Sequence, residues 1–311
     1  MSMFSIELNP VSTKEKIQSY LDKLEEFVEF SSSMKIIGHR FGAHKKYPKN
    51  LNRRKLIEQY SETHDLADFA FSFTGLNSLE MDIRLWKDGN VYIVHDKLKK
   101  KLPSEARMYM FNNSLEKFIR TFIEKEYYKK HHIYLELKLS GKIFDISNFQ
   151  FFPDILNPQE KALIERTIDT LESVLAAHPD KENIRKSIHF ISFSLSSLHY
   201  LYTVSKNEYD TFLIVSTDIF MKKSLSKMFF YFPLTEKEKS RIIFSEWLKG
   251  IWFDPKQIKN PMKTFHYINQ ERKNKLKFFL SSYGMKPEKL FKKLKGSGEK
   301  LPIEGVIFEC T

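Results

Sequence analysis

Two histidines, four acids and two bases stand at or near the ends of short apolar runs, where a strand gives way to a loop. KIIGHR (35–40) ends in His39 and Arg40, SLEMDIR (78–84) carries Glu80 and Asp82, VYIVHD (91–96) ends in His95 and Asp96, and IYLELK (133–138) carries Glu136 and Lys138. Side chains two apart on a strand share a face, so Glu80 points with Asp82 and Glu136 with Lys138. Facing one mouth, they would bring three carboxylates together beside a lysine. An oxygen-only donor set suits a hard divalent cation, Mg²⁺ or Ca²⁺, better than zinc. A cation with Arg40 and Lys138 would neutralise phosphoryl oxygens as charge builds on them. One imidazole would take a proton from an attacking oxygen while the other protonates a departing alkoxide. Taken singly, these motifs read as surface ion pairs, a structural histidine or a turn starter. Four of them in this order, each at a strand end, favour phosphodiester chemistry.

Such residues need a frame that gathers strand ends. Candidate strands are 35–39, 78–84, 91–95, 133–138, 188–194, 211–217, 250–253, 277–282 and 304–309, with helical segments such as 114–130, 159–177 and 265–275 between most of them. Alternation of strand and helix over this length predicts a parallel α/β architecture. About 250 residues is the usual size of a (β/α)8 TIM barrel, whose catalytic groups leave the C-terminal strand ends. Nine candidates compete for eight places, and GIWF (250–253) has the weakest claim. Lys87-Asp88-Gly89-Asn90 reads as a tight turn folding VYIVH back beside EMDIR. Ahead of the barrel, residues 12–30 predict an amphipathic helix: Ser12 and Glu15 have capping-box spacing, and Ile17, Leu21, Leu24 and Val28 share a face. The expected organisation is an N-terminal helical extension over 1–34 and one barrel domain over 35–311.

Composition narrows the class. The chain has 311 residues, 41% hydrophobic, without low-complexity tracts, which is enough for a substantial core. A single cysteine, Cys310, excludes intrachain disulfides and a thiolate metal cluster. MSMFSIELNP lacks the features of a cleaved signal peptide, and no stretch approaches the ~18 apolar residues of a membrane span. These features fit a cytoplasmic protein, with membrane association or non-classical export compatible. A net charge of +12 favours anionic partners: acidic membrane surfaces or phosphate-bearing substrates. Basic residues concentrate at 97–101 and 289–300, without a recognition helix, zinc finger or RNA-binding signature, so nucleic acid is disfavoured.

The motifs resemble those of the glycerophosphodiester phosphodiesterase family: Gly38-His39-Arg40, Glu80-Met81-Asp82, His95-Asp96 after a short turn, and Glu136-Leu137-Lys138. Ser192-Phe193 and the closing GVIFE also look like that family's fifth and last strands. The resemblance spans 35–311 in outline and is specific over 35–140. It implies a TIM barrel, a divalent cation held by Glu80, Asp82 and Glu136, a His39/His95 acid–base pair, and phosphate contacts from Arg40 and Lys138. The implied substrate is a glycerophosphodiester or a related phospholipid-derived diester. Phe41 precedes Gly42 where the family has glycine next to arginine, Pro48-Lys49-Asn50-Leu51 replaces Pro-Glu-Asn-Thr, and FFLSSYG replaces a Trp-Thr-Val-Asn strand. These departures touch substrate recognition more than the metal and histidine positions. LELKLSGKIFD also looks like the strand and loop of sphingomyelinase D/phospholipase D toxins, which keeps a membrane-lipid substrate open. A catalytically inactive barrel that binds phospholipid or a protein is the reading from another class.

Aromatic stretches at 144–153 and 227–233 follow candidate strands and could rest on an anionic membrane, although packing under a lid or against helices is the commoner fate of phenylalanine. His131 and His132 read as members of a solvated loop, His44 as a surface residue, and Trp247 and Trp252 as core.

Overall fold

The computed structural model describes residues 10–25, 28–39, 67–68, 70–71, 76–95, 113–138, 156–215, 218–223, 226–231, 236–253, 261–281 and 301–308. In chain order the strands are β1 (Val28–Gly38), β2 (Ser78–Leu85), β3 (Val91–Ile93), β4 (His132–Leu137), β5 (Ile188–Ser192) and β6 (Asp210–Val215). They continue with β7 (Asp218–Lys223), β8 (Ser226–Tyr231), β9 (Gly250–Phe253), β10 (Lys277–Ser281) and β11 (Leu301–Phe308). The helices are α1 (Pro10–Leu24), α2 (Leu115–Glu124), α3 (Pro158–Leu175), α4 (Lys181–Ser187), α5 (Leu195–Val204), α6 (Glu236–Phe244) and α7 (Pro261–Glu271).

Eight parallel strands close a barrel in the order β1-β11-β10-β9-β6-β5-β4-β2, with β1 returning to β2. The expected (β/α)8 TIM barrel is therefore the fold. GIWF belongs inside it: β9 lies between β6 and β10. While β7 and β8 pair in a second sheet, of the nine candidates the one left over is β3, which runs antiparallel beside β2. Its turn is built as the sequence predicts. Gly89 takes the left-handed φ of 83°, Trp86 N donates to Asn90 O, and Asn90 N donates to the Asp88 carboxylate. No helix among the described residues is long and apolar enough to cross a membrane.

Strand alternation sorts the core into two shells. Outward residues such as Leu79, Met81, Ile83, Leu135, Phe190 and Leu213 pack beneath the helices. Inward residues Ile37, Tyr134, Ile191, Phe212, Trp252, Phe279 and Ile307 fill the barrel. Their rings interlock, with centroids of Phe212 and Phe279 5.0 Å apart and of Tyr134 and Trp252 5.2 Å apart. Glycine makes room for them: a Cβ at Gly250 would lie 2.4 Å from the Lys277 carbonyl oxygen and 2.7 Å from Phe212.

Helix ends follow local chemistry. Asn157 and Glu160 cap α3 reciprocally around Pro158, and Ser114 Oγ accepts from Lys117 N at the start of α2. The N-terminal helix is shorter than its apolar periodicity predicts. Ile17, Leu21 and Leu24 are buried on one face, but Val28 opens β1 opposite Leu301 of β11. A strand partner outweighs one more turn of helix there. The helix also starts at Pro10, so Ser12 lies inside its first turn instead of capping it.

His131 and His132 are half-buried against neighbouring rings and not in an open, solvated loop. His131 stacks on Phe71 with centroids 3.9 Å apart. His132 begins β4 and points inward, its Nδ1 2.9 Å from Nε2 of buried His189. Trp252 is core, as expected, and Trp247 is partly buried against the outer shell.

Candidate active site

The strand register assembles the site at the C-terminal end of β1, β2 and β4. Asp82 lies directly opposite Glu136, and Glu80 sits one inward step below, opposite Tyr134. All three carboxylates are buried, at 1%, 4% and 5% exposure for Glu80, Asp82 and Glu136. Each offers an oxygen within 4.8 Å of the others. Lys138 follows β4, its N–H continuing the ladder to Ile83 O. Its ammonium folds back onto Glu136 and lies 2.9 Å from Asp82 Oδ1. Burial pushes that ammonium down, but Glu136, Asp82 and Glu80 together hold it above the ordinary lysine range, so it stays charged.

On the other side, Gly38 pairs with Leu79, so the next residue, His39, arrives opposite Glu80. The His39 Nε2 is 3.7 Å from Glu80 Oε2. Strict alternation along β3 would place His95 on the side of outward-facing Met81. A bend at His95 ends that alternation, while Val94 N still donates to Asp82 O at 2.8 Å. The histidine is thereby held beside the carboxylate strand. Arg40, His44 and Asp96 lie outside the described residues, as do the stretches at 97–101, 144–153 and 289–300.

Two residues of this site escaped the sequence reading. Arg84 is two positions beyond Asp82 on the same face. Its Nε donates to His95 O at 2.9 Å and its Nη1 to Lys138 O at 3.3 Å, so one guanidinium ties together the segments that carry a histidine and a lysine of the site. The spacing Glu80-x-Asp82-x-Arg84 was the available signal. Asn77 is the second. Its side chain accepts from Ile36 N at 2.7 Å and donates to Met34 O at 3.1 Å, joining β1 to the entry of β2.

The donor chemistry fits a divalent cation. Three buried carboxylates face one ammonium, a concentration of negative charge that burial makes costly without a further positive group. The oxygens come from two neighbouring strands of a rigid barrel, and all are hard donors.

No family model matches the sequence, and no curated protein matches it. Solved structures do. A candidate glycerophosphoryl diester phosphodiesterase from Silicibacter pomeroyi DSS-3 superposes with a TM-score of 0.53 at 12% identity, covering 92% of this chain and 93% of that one. A glycerophosphodiester phosphodiesterase from Agrobacterium tumefaciens str. C58 gives a TM-score of 0.47 at 13% identity, with 89% and 96% covered. A glycerophosphoryl diester phosphodiesterase from Parabacteroides distasonis ATCC 8503 gives 0.45 at 14%, with 92% and 87% covered. The chain shares its barrel fold with the first of these over nearly its whole length, at low sequence identity.

Proposed function

We propose that the protein is a metal-dependent phosphoric diester hydrolase acting on glycerophosphodiesters or related phospholipid-derived diesters. One observation carries the reading: Glu80, Asp82 and Glu136 converge, buried, at the strand ends of a barrel, with Lys138 and His39 against them. Barrel enzymes place their catalytic groups at that end, and the fold likeness to the Silicibacter pomeroyi structure agrees. Glu80, Asp82 and Glu136 would hold Mg²⁺ or Ca²⁺, which when bound supplies Lewis-acid polarisation of a phosphoryl oxygen.

The chain's own groups do the rest. Lys138, with Arg40, draws the diester phosphate in and offsets charge on its oxygens as the transition state forms. His39 and His95 share the proton work, one accepting from the attacking oxygen and the other donating to the departing alkoxide. Arg84 keeps the His95 and Lys138 backbones at a fixed separation while this happens. A substrate that keeps its acyl chains would also bring the enzyme to an anionic membrane surface.

Turnover of glycerophosphoethanolamine with Mg²⁺ or Ca²⁺, stopped by EDTA, is the expected result. His39→Ala and His95→Ala should each lower kcat at least about 100-fold with unchanged circular dichroism, and Glu80→Gln should weaken cation affinity in calorimetric titration. Full activity in EDTA, or cation binding indifferent to Glu80→Gln, would overturn the assignment.

A further inference from the structure

Two polar atoms inside the barrel have no role in the site built above. Trp252, on β9, and Ser281, the last residue of β10, are buried at 5% and 7% exposure. Both face the interior: Trp252 and Phe279 belong to the inner shell, and Ser281 follows Phe279 by one inward step. Among the described residues, neither Trp252 Nε1 nor Ser281 Oγ has a hydrogen-bond partner. A buried indole N–H normally finds an acceptor, and a buried polar group left unpaired costs stability. Thr211 Oγ1 and Ser205 Oγ are also unpaired, but Thr211 precedes inward-facing Phe212 and so lies on the outer face of β6, and Ser205 caps the end of α5.

Their place in the barrel is a second, independent observation. In the ring of eight strands β9 stands diametrically opposite β2, and β10 opposite β4. The strands with the unpaired atoms therefore face the two that carry Glu80, Asp82, Glu136 and Lys138. The Trp252 ring lies 5.2 Å from that of Tyr134, which sits opposite Glu80 and one inward step below Glu136. Ser281 lies opposite Ile307, which in turn lies opposite Ile37, one inward step below His39. Acids and lysine thus occupy one wall of the interior, and an unpaired N–H and hydroxyl occupy the other.

We infer that Trp252 and Ser281 are specificity residues that bind the hydroxyl-bearing alcohol of the diester, selecting a glycerol with free hydroxyls over a plain alkyl group on the same phosphate. An indole N–H only donates, whereas a serine hydroxyl donates and accepts. A polyol matches both, since each of its hydroxyls can accept from the indole or exchange with the serine. The rings around Trp252, those of Tyr134 and Phe279, are uncharged and offer faces to C–H groups. Phosphate oxygens go instead to the wall that carries Lys138. A quaternary ammonium would suit aromatic rings, but it would leave both unpaired groups unmatched. This role rests on the hydrolase reading above and concerns the part of the substrate that the acids do not hold.

The test is calorimetric titration of the full chain, loaded with Mg²⁺ or Ca²⁺, with sn-glycerol 3-phosphate and with ethyl phosphate, which share the phosphate and differ in the hydroxyls. Glycerol 3-phosphate should bind at least about 30-fold tighter, because buried polar groups reject an analogue that cannot pair with them. Ser281→Ala should cut that preference at least about tenfold and Trp252→Phe at least about fivefold, in each case by weakening glycerol 3-phosphate while ethyl phosphate keeps its wild-type affinity. Indole emission that is lost in Trp252→Phe should shift on binding glycerol 3-phosphate but not ethyl phosphate, a response that a purely structural tryptophan would not give. A wild-type preference below about threefold, or one that survives Ser281→Ala intact, overturns the proposal and leaves the hydrolase reading standing, even if Trp252→Phe does not fold. Tighter binding of phosphocholine than of glycerol 3-phosphate would also overturn it, as the mark of an aromatic cage for an amine. Failure of the loaded chain to bind either ester overturns both readings together.

Discussion

Arg84 shows how the candidate site is held at the scale of single residues. Two of its donated bonds reach carbonyls on different segments, so its loss should loosen His95 and Lys138 together. Arg84→Ala is expected to lower kcat about 10- to 100-fold, the usual cost of removing a group that orients site residues, while KM and cation affinity change little. Arg84→Lys, able to replace one bond, should recover part of the loss. An unchanged kcat in Arg84→Ala would show that the clamp is ornamental. The acids were legible because Glu80-x-Asp82 and Glu136-x-Lys138 obey strand alternation, and register then placed Asp82 opposite Glu136. Arg84 obeys the same alternation, but an arginine after an acid also reads as an ordinary surface ion pair. The two partners named above are backbone carbonyls, which carry no sequence signature.

The strands were the most legible elements, because apolar runs bounded by polar turns mark them directly. What short-range pattern could not decide was membership. GIWF is four residues long and VYI three, yet the first is a barrel strand and the second a hairpin partner. That choice depends on Gly250, whose missing Cβ lets Phe212 fill the interior, a contact between strands remote in sequence. The links between elements were the least legible, and Arg272 is the plainest case. Its buried guanidinium donates to the carbonyls of Ser245 at 2.9 Å, Leu248 at 3.0 Å and Asn274 at 2.9 Å, and also to Ile242. It satisfies the C-terminal end of α6 and the passage into β9 from a residue beyond α7. Arg272→Met should destabilise the fold by about 3 kcal/mol, because several buried carbonyls lose their donor at once. Chemical denaturation would measure it, and a change below about 1 kcal/mol would mean that water replaces the arginine without cost.

Across the whole molecule, the two ends of the barrel hold different sets of titratable groups. Acids gather at the C-terminal end. At the other end, His132 and His189 stack with centroids 5.1 Å apart, facing Lys35 and Lys277, with Asp210 3.9 Å from His189 Nδ1. Burial, together with Lys35 and Lys277, lowers His132 to about 4 and places His189 well below its ordinary value. Above about pH 6.5 both imidazoles are neutral whether the chain is folded or not, and the pair contributes nothing to pH dependence. Between about 6.5 and 4 the unfolded chain takes up protons that the fold refuses, so stability should fall with pH by about 1.4 kcal/mol per unit for each proton. Replacing the pair as His132→Gln with His189→Phe should flatten the melting curve against pH over that window. An equal slope in wild type and variant would assign the loss to carboxylates elsewhere. The barrel itself was legible from strand count and alternation, but this histidine pair was not, since its members lie 57 residues apart and meet only on closure.

Closure has one thin place. β1 meets β11 at seven positions, but among the described residues it meets β2 only at Ile37–Ser78 and Gly38–Leu79, with the Asn77 amide extending the join below. His39 and Glu80 stand on opposite banks of that join. Were His39 to move protons and Glu80 to hold an ion, both tasks would share a hinge: whatever lets these two strands part moves the histidine away from the acids in a single motion, and Asn77 below them sets how rarely that occurs.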